Sequence, residues 1–310
     1  MFSLVIPTHN RAAILKRSLS HVLKLDGINE CEVIVVNDGS TDETAAVLEE
    51  FRRTAPQILR VFSISNGGPA RARNRGVEAA QHERILFVDD DVFPRAGMLQ
   101  SHWRLLDSGY TGSQGILLWH PEIQITPLIR YIDSRGSQFD FAGVKDDSQL
   151  DFAHVYTANF AILRSAVLRA GGFDETFFSK QFAFSAFEDT ILGYKLILDG
   201  ARLALNREAI ADHLHDMTED GYLHREYRVG YAIGLLRQKY PELAKSLGLE
   251  GKDFLAAAQI HLLESMNAAI ALRKLFGYSL SMRLRNREAF YRGFLEFKQQ
   301  DSSARNVETQ

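Results

Sequence analysis

Three consecutive acids, Asp89-Asp90-Asp91, follow the apolar run Ile85-Leu86-Phe87-Val88. Three anions this close repel one another unless something positive neutralises them. Hard divalent cations prefer carboxylate oxygen and commonly bridge it to phosphate, so the cluster points to Mn²⁺ or Mg²⁺ holding a phosphorylated substrate. The competing reading is a solvated acidic loop, where most charge runs end. Within the cluster Asp89 and Asp91 form an Asp-x-Asp pair. Their side chains share a face if the backbone stays extended.

Four segments must place this cluster. Phe2 to Ile6 reads as a strand stopped by Pro7, followed by a helix with apolar positions Leu15, Leu19, Val22 and Leu23. Glu32 to Val36 is a second strand, ending in Asn37-Asp38-Gly39-Ser40-Thr41-Asp42-Glu43. Ser40 and Glu43 have capping-box spacing and open a helix with the stripe Val47, Leu48 and Phe51. A third strand near Leu59 to Ile64 leads to Asn66-Gly67-Gly68-Pro69 and a helix bearing Arg71, Arg73, Asn74 and Arg75. Arg84 to Val88 is the fourth. Apolar strands alternating with amphipathic helices predict a doubly wound, mostly parallel α/β sheet covered on both faces. Ligands of such sheets bind beyond the carboxyl ends of the strands. The polar stretches fall there: Pro7-Thr8-His9-Asn10-Arg11, Asn37-Asp38-Gly39, Asn66-Gly67-Gly68 and Asp89 to Asp91.

Beyond residue 110 the regularity weakens. Residues 111 to 150 read as loops and short strands, Asn159 to Leu163 as a strand, and Phe177 to Phe187 as an aromatic-rich flap. Asp189 to Leu198 is a helix closed by Gly200. Two short strands then end at Asp212-His213-Leu214-His215, and from Tyr222 the pattern is helical with one break at Pro241. The organisation expected is a domain over 1–220, with a donor half at 1–110 and an acceptor half at 111–220. A helical extension covers 221–300, and a disordered polar tail 301–310.

Composition narrows the function classes. A net charge of −3 gives no support to nucleic-acid binding. The single cysteine, Cys31, lies in an apolar run, cannot form an internal disulfide and fits a reducing compartment. No basic segment followed by a long apolar region opens the chain, so no signal peptide is expected. Phe254 to Leu272 is apolar but interrupted by Gln259, His261, Glu264 and Asn267, which reads as a packed helix rather than a membrane span.

Together these residues resemble the family-2 glycosyltransferases with the A-type (GT-A) nucleotide-sugar-binding fold, over residues 2 to 230. The resemblance rests on Val5-Ile6-Pro7-Thr8-His9-Asn10-Arg11, Val36-Asn37-Asp38-Gly39-Ser40-Thr41-Asp42, Asn66-Gly67-Gly68-Pro69 and Ala72-Arg73-Asn74-Arg75-Gly76. It continues through Phe87-Val88-Asp89-Asp90-Asp91-Val92, Gly171-Gly172-Phe173-Asp174-Glu175 and Glu188-Asp189-Thr190. Where the family usually reads Asp-Asp-Gly-Ser, this chain has Asn37-Asp38-Gly39-Ser40. The resemblance implies a metal-dependent, inverting sugar transfer from a nucleoside diphosphate sugar, uridine diphosphate first, to a carbohydrate or lipid-linked hydroxyl. Such activity belongs to cell-surface polysaccharide, glycolipid or glycoconjugate synthesis, with a cytoplasmic location or one on the inner face of the membrane.

By the same resemblance, Pro7, Thr8, Asn10 and Arg11 line the nucleotide pocket with Asn66 and Gly68, and Asp38 accepts a hydrogen bond from the base. Arg73 approaches the donor phosphates or ribose. Asp89 and Asp91 hold the cation against the diphosphate, where charge develops as the leaving group departs. Asp90 contacts the ribose or points the other way. Asp189 matches the catalytic base; a carboxylate at a helix mouth beside other acids suits that task, and its position equally permits an N-cap. Glu188 orients or binds the acceptor, Asn159 belongs to the acceptor-side loop, and His213, ahead of His215, completes the metal shell. Trp103 and Trp119 are open between core and sugar platform.

Two other classes compete. A sugar nucleotidyltransferase would need a glycine-rich basic signature beside the first strand, which Pro7 to Arg11 lacks. A catalytically inactive sugar- or membrane-binding relative would show a broken acid cluster or no base, and here both are present. Between Arg273 and Lys298 seven Lys/Arg stand against Glu288 and Glu296, interspersed with aromatic residues. This segment reads either as a basic amphipathic helix for an anionic membrane surface or as a helix packed on its own domain or on a second copy of the chain.

Overall fold

The computed structural model describes residues 1–135, 139–178, 186–249 and 277–308. The first half runs β1 (Ser3–Thr8), α1 (Ala12–Val22), β2 (Glu32–Asp38), α2 (Thr44–Thr54), β3 (Leu59–Ile64), α3 (Pro69–Ala79), β4 (Arg84–Val88), β5 (Val92–Pro94) and α4 (Met98–Asp107). The second runs β6 (Gly112–Trp119), α5 (Pro127–Ser134), β7 (Asn159–Leu163), α6 (Arg164–Arg169), α7 (Glu188–Leu198), β8 (Leu203–His213), α8 (Glu219–Lys239), α9 (Pro241–Ser246) and α10 (Tyr278–Glu308).

The strands form one mixed sheet in the order β3-β2-β1-β4-β7-β6-β8-β5. β1, β2, β3 and β4 are mutually parallel, β7 is antiparallel to both β4 and β6, and β6 runs parallel to β8. The apolar strand runs bury both faces, as expected. Leu4, Ile6, Val33 and Val35 pack into one core and Val5, Ile34 and Val36 into the other, since successive side chains point to opposite faces. The expected fold class, a doubly wound sheet with C-terminal helices, is the one observed.

Several local readings are corrected. Pro7 does not stop β1; it pairs in register with Val36 and the strand runs on to Thr8. The Ser40/Glu43 capping box does not form. α2 starts at Thr44, whose N–H is taken by Asp42, while the Ser40 hydroxyl accepts from the Asn10 N–H. The two short strands before His213 are one strand of 11 residues, β8, with a register irregularity opposite Gly115/Ile116 that breaks its apolar alternation. Residues 111 to 150 contain an 8-residue strand and an 8-residue helix. Instead of a disordered tail, α10 continues through Glu308. Residues 179–185 of the expected flap lie outside the described residues, as does Phe254 to Leu272.

By internal contacts the chain divides into residues 1–124 with 139–215, and residues 125–138 with 216–310. Residues 125–138, expected in the acceptor half, thus cluster with the C-terminal helices. In that second unit α8 and α10 meet at glycines: a Cβ on Gly230 would lie 1.9 Å from the Phe290 carbonyl oxygen, and one on Gly293 would lie 1.8 Å from that of Tyr227. Such closeness buries Tyr291 and Phe294. Tyr291 and Phe294 of the basic segment therefore pack within the unit, while Phe290 and Phe297 are half-buried. No described helix is long and apolar enough to cross a membrane.

Candidate active site

The acid cluster is not an extended strand end. β4 stops at Val88, and the Val92 N–H returns to the Asp89 carbonyl at 3.2 Å, closing a tight turn. Alternation therefore does not apply, and the three carboxylates go to three different surroundings. Asp89 meets Arg73 at 2.8 Å. Asp90 turns inward, accepting from the Thr8 hydroxyl at 2.7 Å and pairing with Arg11 at 3.3 Å. Burial pushes Asp90 up to about 7, against the pull of Arg11. Asp91 is paired with Arg11 at 2.6 Å and with both histidines, His213 and His215, at 3.2 Å each.

Sheet register explains why His213 and His215, more than a hundred residues downstream, reach Asp91. β5 pairs antiparallel with β8 so that Val92 faces His213, and the Leu214 N–H donates to the Asp91 carbonyl at 2.9 Å. The two imidazoles stack at 5.4 Å, and Trp119 and Phe139 flank the His213 ring. Among the described residues Asp91, His213 and His215 are the one cluster able to hold a metal ion, their ligand atoms all within 4.8 Å. The residues fit a cation. A carboxylate only accepts, so each ring nitrogen facing it either carries a proton or shares a positive ion with it. Burial opposes the charge on Asp91, yet His213, His215 and Arg11 hold its carboxyl well below the usual range. Asp89 is outside this group, and both histidines are inside it, rather than one or the other.

Arg73 is the hub. It is 5% exposed on the sheet-facing side of α3, between Asp89 at 2.8 Å, Glu188 at 3.6 Å and Asp189 at 3.9 Å. Burial alone would lower its pKa, but Asp89, Asp189 and Glu188 raise it. Among the described residues its Nε and Nη1 find no hydrogen-bond partner. Asp189 is not an N-cap: Phe187 holds that position with φ of 66°, and Asp189 sits in the first turn of α7. Its two carboxylate oxygens accept from the N–H and the hydroxyl of Thr157 at 3.0 and 2.8 Å. Burial pushes Asp189 up, opposed by Arg73 and by Thr157.

The loops after β1, β2 and β3 are tied together around Asp38. Its oxygens accept from the N–H groups of Gly67 and Gly68 at 2.8 and 2.7 Å, so it fixes the turn that was expected to line the pocket. Gly39 must be glycine, having φ of +67° and a would-be Cβ 2.6 Å from the Asn66 nitrogen. The Asn66 amide donates to the Asp38 carbonyl, and the Asn10 side chain accepts from the N–H groups of Thr41 and Asp42. Pro7 and Thr8 lie at the end of β1 beside them. Sequence reasoning passed over His9, whose Nδ1–H donates to the same Asp38 carbonyl at 2.7 Å, and Thr157. His9 stood inside a quoted motif; nothing in the sequence links Thr157 to an acid 32 residues away.

Asn159 does not line an acceptor site. It is 0% exposed, its amide donates to the Ile116 and Ala209 carbonyls, and its oxygen accepts from His102. Trp103 is half-buried and packs edge-on against Phe2 of the core. Among described residues the non-glycine positions with left-handed φ are Asn10, Phe139 and Phe187. All three border this site: in the loop after β1, against His213, and just before Glu188-Asp189. Such conformations cost about 1–3 kcal/mol each and gather at functional sites.

A mixed, mostly parallel sheet covered by helices, with Asp89 to Asp91 and the two histidines at its strand ends, is an α/β fold of the GT-A type. The family model for glycosyl transferase family 2 matches residues 3–172, and the chain belongs to that family. A pre-mycofactocin glycosyltransferase of Mycobacterium tuberculosis is 31% identical over 262 residues, 82% of this chain and 51% of that protein. The chain thus spans about half the length of that relative. The fold is shared with a mannosyltransferase from Pyrobaculum calidifontis in complex with GDP-Man and Mn²⁺, at TM-score 0.67 and 17% identity, covering 95% of this chain and 85% of that one. It is shared also with TarS of S. aureus in complex with UDP-GlcNAc, at TM-score 0.55 and 18% identity, covering 96% and 91%.

Proposed function

We propose that the chain is a metal-dependent, inverting glycosyltransferase. It would move a sugar from a nucleoside diphosphate sugar, with uridine diphosphate the first carrier to test, to a hydroxyl of a carbohydrate or lipid-linked acceptor. The observation that carries this reading is the buried Arg73 guanidinium, shared by Asp89 at the end of β4 and by Glu188 and Asp189 at the start of α7. One cation joins the strand end suited to phosphates to the helix mouth suited to an acceptor.

In the proposed step the acceptor hydroxyl gives its proton to Asp189 as its oxygen bonds to the anomeric carbon. The bond from that carbon to the phosphate oxygen breaks, and the nucleoside diphosphate departs with the electron pair. Attack opposite the leaving group inverts the anomeric centre. Burial raises the Asp189 pKa, which suits a base operating near neutral pH. Glu188 would orient the acceptor, and the free lone pairs of Asp38 would face an imide N–H of the base. Asp91, His213 and His215 would hold the cation, which supplies positive charge to the diphosphate as it leaves. Two imidazoles beside one carboxylate suit Mn²⁺ better than Mg²⁺, which favours oxygen ligands. The nucleoside diphosphate sugars bound by the mannosyltransferase and by TarS support the donor class.

Calorimetric titration with UDP, GDP and dTDP, with and without Mn²⁺, tests the reading on wild type and Asp91→Ala. Mn²⁺-dependent binding that selects one base and is lost in the variant is expected. A folded protein that binds none of the three, with or without the ion, would sink it.

A further inference from the structure

We propose that Thr157 is the positioning residue for Asp189, and that Gln114 and Asn159 hold Thr157 in place for that task. The inference rests on the reading of Asp189 as the general base. Thr157 is 0% exposed and sits two residues before β7, yet both of its donors aim at one carboxylate: the N–H at 3.0 Å and the hydroxyl at 2.8 Å, one to each oxygen. A base must present a lone pair in a fixed direction, and two donors from one residue leave the carboxylate little freedom to rotate.

The segment carrying Thr157 is itself immobilised. The Gln114 oxygen accepts from the Tyr156 N–H at 2.8 Å, and its amide donates to the Asn159 carbonyl at 3.1 Å. Two residues after Thr157, the Asn159 side chain is anchored by the Ile116 and Ala209 carbonyls at 3.1 and 2.9 Å. Thr157 is thus bracketed by two buried amide side chains whose N–H groups are held by backbone carbonyls. A β-branched side chain is also stiff at χ1, which keeps the hydroxyl aimed. This gives Asn159 a role in the site without any contact to an acceptor.

The other charged groups facing Asp189 are Arg73 from α3, Asp89 from the end of β4 and Glu188 beside it in α7. None of them donates a hydrogen bond to it, so the two Thr157 bonds are the ones that set its orientation among the described residues. Hydrogen bonding to the charged form favours that form, so removing the hydroxyl raises the Asp189 pKa as well as freeing the carboxylate.

The test uses the full chain labelled with ¹³C at aspartate carboxyls, with the Asp189 signal assigned by its loss in Asp189→Asn. Thr157→Val should move its titration midpoint upward by about one pH unit, the size of a hydrogen bond to a charged group. Nucleoside diphosphate release from UDP-GlcNAc, UDP-glucose and GDP-Man is followed in parallel. There kcat should fall about 10- to 100-fold with KM changed less than about twofold. Thr157→Ser, which keeps the hydroxyl, should return both quantities toward wild type. An unmoved midpoint in Thr157→Val, or equal loss in the Val and Ser variants, overturns the proposal. Undiminished turnover in Asp189→Asn overturns the base reading beneath it, while the titration still reports separately whether Thr157 holds that carboxylate.

Discussion

Arg73 shows how one side chain sets the chemistry of a site. Three carboxylates from two elements converge on it, and without the guanidinium they would repel across a poorly solvated gap. Arg73→Met should therefore destabilise the protein by about 3–5 kcal/mol, the cost of leaving buried charges uncompensated. Chemical denaturation checks this. Binding of a nucleoside diphosphate should be lost with it, since Asp89 and Asp189 lose the charge that holds them. Lysine is a poor substitute, because a single ammonium cannot reach both sides as a planar fork does. The two arginines beside it in sequence have other surroundings: Arg71 is exposed, and Arg75 lies over the Phe62 ring at 4.5 Å. Residue type alone does not distinguish the three.

Among the elements, the α8–α10 pair depends on backbone closeness rather than on large interlocking side chains. Gly230 and Gly293 each leave room only for hydrogen at the crossing. Gly230→Ala should push the helices apart and cost about 1–3 kcal/mol by overpacking, more than offsetting alanine's better helix propensity. Urea unfolding of the variant beside wild type measures it, and equal midpoints would refute the close crossing. β8 illustrates the converse. Its irregularity opposite Gly115 lets one strand carry both the buried start at Leu203 and the histidine end at His213. A pattern broken in mid-strand reads as two strands in sequence, although the ladder is continuous.

For the whole molecule, acid stability hinges on the buried His102. Its Nε2–H donates to the Asn159 oxygen and its Nδ1 accepts from the Ser113 hydroxyl, which in turn accepts from Asn206. The Asn159 orientation is fixed because its amide faces two backbone carbonyls, so the network favours the neutral imidazole. Burial lowers the His102 pKa from 6.5 to about 4. Between those values the unfolded chain binds a proton that the folded one does not. Stability is therefore full above pH 6.5 and falls as pH drops toward 4, by about 3 kcal/mol from this group. His102→Gln should flatten that part of the stability–pH curve, read as thermal unfolding across pH 4 to 7; an unchanged slope would contradict it.

Sequence patterning specified the sheet, its covered faces and which loops lie at the strand ends, because continuous apolar strands and amphipathic helices encode burial locally. It also marked the acid cluster, Arg73, Glu188-Asp189 and the two histidines as chemically capable. The partners of those groups came from packing. Alternation along a strand predicted Asp89 and Asp91 on one face, but the chain turns at Asp89, and the Val92–His213 register assigns Asp91 to the histidines and Asp89 to Arg73. Asn159 and Thr157 sit two residues apart, with one anchored inside the sheet and the other aimed at Asp189. Which of them faces the site depends on contacts with residues far away in the chain. Such contacts form only when the strands pair, and no local pattern of residue types carries that information.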